Sequence, residues 1–85
     1  MRLRATERFV SDYRALPADI RERTDRKLRY LAADLRHPSV RVKRVPSRQG
    51  IYEGSINMDY RFLFSVEGDA IILLRIGRHD IIDKR

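Results

Sequence analysis

Cysteine is absent from the chain. That excludes disulfides, thiolate metal sites and a cysteine nucleophile, and it fits the cytoplasm. Histidine is scarce as well, with only His37 and His79. Asp80 and Asp83 lie near His79, but no paired ligand spacing appears, so no metal and no other cofactor is expected. Long apolar runs are missing. No stretch approaches the ~20 apolar residues of a transmembrane helix. Met1-Arg2-Leu3-Arg4 is followed by no apolar segment of the kind an export signal needs, so no membrane role is expected. There is no glycine-rich phosphate loop, and no Ser/His/Asp pattern can be read from spacing.

Arginine is what the chain has in quantity. Lys plus Arg number 19 against 12 Asp plus Glu, a net charge of +7, and only Lys27, Lys43 and Lys84 are lysines. Guanidinium forks match phosphate geometry, so the balance points to a polyanionic partner. Nucleic acid is the first candidate and an acidic protein the second. The length of 85 residues fits a single domain spanning 1–85. A domain this short has no room for a deep enclosed site, which leaves an open face or a shallow groove.

Helical patterns come first and strand patterns follow, the order of an α+β domain. Residues 2–5 suit a short strand. Thr6 can N-cap a helix with Glu7 in its first turn, and Phe9, Val10, Tyr13 and Leu16 share one face. Pro17 ends that helix and opens a second, expected from about Pro17 to Leu35, with a buried stripe of Ile20, Thr24, Leu28, Leu31 and Leu35. Its outer face reads as solvated and self-paired, Glu22 with Arg26 and Asp25 with Arg29. His37-Pro38 stops it.

The period then changes to two. Strands are expected over Val40–Val45, Ile51–Met58, Tyr60–Val66 and Ala70–Ile76, with Gly77 ending the last. Pro46-Ser47-Arg48-Gln49-Gly50 is a loop, Asn57-Met58-Asp59 turns the chain, and Glu67-Gly68-Asp69 signals a hairpin. The expected architecture is two N-terminal helices on one face of a twisted, mostly antiparallel sheet of four to five strands. The other face stays partly open.

If these strands pair in hairpin order, Arg41, Lys43, Arg44, Arg61 and Arg75, with Arg78 just after the last strand, can converge on the helix-free face. That would form a groove for a single RNA strand. Cleavage by attack of a 2′-hydroxyl needs a base, a cation at the phosphorus and an acid for the departing 5′ oxygen. His79 suits the acid, because imidazole exchanges protons near neutrality. Arg61 and Arg41 suit the phosphate. Lys43, Glu53 or Asp59 could be the base, and composition does not choose among them. Three of these also have a structural alternative. Arg61 could pair with Glu53 across the sheet, Asp59 could be a turn residue, and His79 could be a loop residue.

The ordered set Leu16-Pro17, His37-Pro38-Ser39, Tyr52-Glu53, Tyr60-Arg61 and Ile76-Gly77-Arg78-His79-Asp80 resembles the RelE/ParE superfamily of bacterial and archaeal toxins. The resemblance spans nearly the whole chain. It implies a microbial-RNase-like α+β fold, cleavage of messenger RNA on the ribosome and a cognate acidic antitoxin. It implies contact with DNA only through the toxin–antitoxin complex. It places Arg61 at the scissile phosphate and His79 as general acid, as in the YafQ and YoeB branches. Asp59 matches an aspartate of YafQ-like members, and Lys43 falls near a histidine of theirs. The chain departs from the pattern in two places. Glu53 and Ser55 stand on a strand where RelE carries lysines, and Asp80-Ile81-Ile82-Asp83-Lys84-Arg85 lacks the aromatic that many members place after the catalytic residue. Two other readings remain: a ParE-like inhibitor of DNA gyrase, and a non-catalytic relative that only binds its antitoxin.

Overall fold

The computed structural model describes residues 1–82, so Asp83 lies outside the described residues. The elements are β1 (Arg2–Ala5), α1 (Glu7–Arg14), α2 (Ala18–Ala33), β2 (Lys43–Arg44), β3 (Tyr52–Ser55), β4 (Tyr60–Glu67), β5 (Ala70–Arg78) and a short α3 (His79–Ile82). The sheet order is β1-β5-β4-β3-β2. β2, β3, β4 and β5 pair antiparallel in succession, while β1 lies parallel to β5 from Arg2 opposite Ala70 to Ala5 opposite Leu73. The expected α+β class, helix pair and mostly antiparallel sheet are all present.

Local chemistry explains the helix ends. The Thr6 hydroxyl accepts from Phe9 N at 3.1 Å and caps α1. Phe9, Leu16, Ile20 and Leu31 meet Phe62, Phe64, Ile71, Leu73 and Ile76 in the main core between the helices and the sheet. Thr24, fully buried in the same stripe, donates its hydroxyl to Ile20 O at 2.8 Å and leaves no polar atom unsatisfied. α2 stops at Ala33, short of the expected Leu35. The Asp34 carboxylate accepts from Arg36 N at 2.9 Å, a local turn that competes with the helix. Glu22 and Arg26 pair as expected at 3.9 Å. Asp25 instead accepts from the Tyr13 hydroxyl at 2.7 Å, which joins α1 to α2. That hydrogen bond, followed by burial and the Asp25 charge, raises the Tyr13 phenol above its ordinary pKa.

The strands correct the sequence reading in three places. Val40–Val45 yields only the two residues of β2, because Arg41 sits at φ 55°, in the left-handed region, and breaks the extended run. β3 ends at Ser55 rather than Met58, since the Asn57 side-chain oxygen accepts from both Asp59 N and Tyr60 N at 2.9 Å and turns the chain. β5 continues through Gly77, which pairs with Arg61, to Arg78 opposite Tyr60. The register of β4 against β5 shifts between Leu63 and Phe64, so Leu74 is an extra residue on β5. Leu74 packs with Val45, Ile51, Leu63 and Ile82 in a second, smaller cluster. That cluster explains why the β5 sequence is apolar on both sides.

Candidate functional site

On the pleated sheet, Tyr52, Gly54 and Ile56 face the helices, which leaves Glu53 and Ser55 on the opposite side. Lys43 is paired with Glu53, and Arg61 with Ser55. The result is a hollow on the face opposite α1, lined by Arg41, Lys43, Glu53, Ser55 and Arg61. Arg41 enters by a different route from the expected alternation, since its left-handed backbone turns the chain there.

Glu53 is buried at 7% exposure and organises the cluster. Its Oε1 lies 3.5 Å from Lys43 Nζ and 3.8 Å from Arg61 Nε. Two cations against one buried carboxylate leave the hollow net positive. Arg61 is fixed further by its own strand end. Its Nη1 donates to Asn57 O and, at 3.1 Å, to Tyr60 O. Its Nη2 has no hydrogen-bond partner among the described residues and is not fully buried. The guanidinium is thus held through Nε and Nη1, and Arg61 still lines the hollow.

Asp59 and His79 meet at the next strand end, where His79 N donates to Asp59 O at 2.9 Å. His79 opens α3 and is exposed. The sheet register places this pair one step beyond Tyr60 and Arg78, two steps from the Arg61–Gly77 pair. Of the sequence candidates, Arg41, Lys43, Glu53 and Arg61 share one hollow; Asp59 and His79 meet by a backbone hydrogen bond at the β4–β5 end and do not line it.

Three arginines expected in the groove are placed elsewhere. Arg75 donates from Nε to Asp12 Oδ2 at 2.7 Å, and the same carboxylate accepts from Ile76 N at 3.1 Å. β1 pairs with β5 only as far as Leu73, so Asp12 completes the exposed strand edge beyond it and holds Arg75 against α1. Arg44 pairs with Tyr52, on the face opposite Lys43, and lines a separate hollow beside the Pro46–Gly50 loop. Arg78 lies 5.8 Å over the Tyr60 ring and 3.9 Å from Asp80. Among the described residues, no three His, Cys, Asp or Glu side chains gather as a metal site would require. No helix there is long and apolar enough to cross a membrane.

Arg23 and Lys27 were missed. Both belong to the α2 face read as solvated, yet both line the continuation of the hollow past Arg41 and Arg61. A signal was present: they stand one turn apart with like charge, an arrangement that works against a helix.

Two helices on one face of this mixed five-stranded sheet, with a basic hollow on the other, form the fold of the RelE/ParE toxins. A chain of the RelB–RelE antitoxin–toxin complex from Methanococcus jannaschii superposes with a TM-score of 0.78 at 21% identity, covering 94% of both chains. The YoeB/ParE toxin from Agrobacterium tumefaciens gives 0.80 at 18% identity over 93% of this chain and 99% of that one. A chain of the Escherichia coli DinJ–YafQ complex gives 0.69 at 18% identity over 96% and 98%. At such identities the likeness is one of fold. No protein-family model matches the chain, and no curated protein matches it in sequence.

Proposed function

We propose that this protein is the toxin of a type II toxin–antitoxin pair and acts as a metal-independent, ribosome-dependent endoribonuclease on messenger RNA in the cytoplasm. The observation that carries the reading is the Arg61 guanidinium, anchored on Asn57 O, Tyr60 O and Glu53 and lining the hollow with Arg41 and Lys43. Such a group can hold the scissile phosphate and stabilise the charge that builds on it. Attack of the 2′-hydroxyl on phosphorus forms a cyclic phosphate and releases the 5′ oxygen. Glu53, Lys43 or Asp59 takes the 2′ proton, and His79 donates one to the leaving oxygen. Arg41 contributes positive charge beside the phosphate.

The partner in this reading is an acidic antitoxin segment that covers the basic face and orders on binding. Chains of this fold from Methanococcus jannaschii and Escherichia coli occur in complexes with the antitoxins RelB and DinJ. Contact with DNA is expected only through such a complex.

The test is purified protein added to ribosomes carrying a defined messenger, with the messenger ends mapped by primer extension. New ends should appear with the wild type, vanish with Arg61→Ala and be strongly reduced with Arg61→Lys, which keeps the charge but not the fork. Unchanged cleavage by Arg61→Ala would contradict the reading.

A further inference from the structure

The hollow continues beyond Arg61 into a half lined by Arg23, Lys27, Ser39, Arg41 and Met58. No carboxylate lines this half. Among the described residues, neither Arg23 nor Lys27 nor Arg41 has an ion pair. Asp19 stands one turn before Arg23 in the favourable order for pairing, yet the pair does not form. Lys27 is tied down by donating to Ser39 O at 2.6 Å, an uncharged partner. Burial first, then the charges of Arg23, Arg26 and Arg41, hold its ammonium below the ordinary lysine pKa. Like charges crowded without a counter-charge work against folding, and a bound anion removes that penalty. Beside them Met58 stands 85% exposed at the tip of the β3–β4 turn, a polarisable apolar side chain with no packing role.

We propose that this half of the hollow seats a second backbone phosphate of a single-stranded RNA whose scissile phosphate lies at Arg61, with the adjoining base against Met58. The inference rests on the reading of the Arg61 face as an RNA site, and it extends that site onto α2. Cations continuous from Lys43 through Arg61 and Arg41 to Lys27 and Arg23 form a track suited to a regularly charged backbone. Met58 adds the apolar surface that a base uses and an acidic peptide does not need.

The experiment measures affinity for a short single-stranded RNA, 2′-O-methylated so that it cannot be cut, over a range of salt. Wild type is compared with Arg23→Gln, Lys27→Gln, Met58→Ala and Arg29→Gln, the last on the exposed outer face of α2. Arg23→Gln and Lys27→Gln should each reduce the slope of log affinity against log salt by about 0.7, the share of one phosphate on a single strand. Arg23→Gln should unfold no earlier than wild type, since it removes a repulsion, whereas Lys27→Gln also gives up the hydrogen bond to Ser39 O. Met58→Ala should weaken binding at every salt without changing the slope, and Arg29→Gln should change neither. Unchanged slopes for Arg23→Gln and Lys27→Gln would overturn the proposal. So would an equal loss in Arg29→Gln, absence of RNA binding, or slope losses seen only with an oligoglutamate peptide. Cleavage on ribosomes separates the two claims. Slope losses in a protein that cuts no messenger contradict only the nuclease reading, and intact cleavage with unchanged slopes contradicts only the second phosphate seat.

Discussion

Single residues decide which of the many arginines are available to a ligand. Arg61 and Arg75 look equivalent in sequence, each on a strand among apolar neighbours. Arg75 is committed to Asp12, 63 positions away in the chain, and no local pattern can reveal such a pairing. Arg61 does lie against Glu53, the structural partner anticipated for it, but at 3.8 Å, and it still lines the hollow. The difference is testable. Asp12→Ala leaves Ile76 N without its acceptor and should cost about 1–3 kcal/mol in chemical denaturation, the penalty of an unmet backbone donor. Arg75→Ala should leave messenger cleavage at the wild-type level. Loss of cleavage in a folded Arg75→Ala protein would return Arg75 to the site.

At the scale of elements, periodicity located both N-terminal helices and all the strands, and it erred where side chains overrule it. Asp34 ends α2 early, Asn57 ends β3 early, and the left-handed Arg41 reduces β2 to two residues. None of these is a hydrophobic signal, so an alternation pattern passes over them. The parallel pairing of β1 with β5 joins the two ends of the described chain and has no local signature either. Gly54 is legible only with the fold in hand. It faces the fully buried Phe62, and any Cβ there would run into the Phe62 ring. Gly54→Ala should therefore destabilise by about 1–3 kcal/mol, the usual penalty of overpacking, in thermal or denaturant unfolding. No change would mean that β3 and β4 are less closely packed than described.

At the scale of the molecule, the excess of arginine announced a polyanionic partner, and the fold gives that charge a place. The two N-terminal helices and the main core occupy one face, and the Arg41, Lys43, Glu53 and Arg61 cluster the other. Half of the cationic candidates fall together because Lys43, Glu53 and Arg61 alternate outward on adjacent strands. Arg44, Arg75 and Arg78 do not join them, since register, the Asp12 carboxylate and an aromatic ring hold them elsewhere. Arg23 and Lys27 arrive from α2, which sequence alone assigns to solvent.

The central claim is that Arg61 and His79 act on messenger RNA. Its most direct test is induced expression without any antitoxin, comparing wild type with Arg61→Ala and His79→Ala while following growth, protein synthesis and messenger ends. The account predicts rapid arrest of translation with new messenger ends, both lost in each variant although the variants remain folded. Arrest with intact messengers, or cleavage that survives both substitutions, would contradict it.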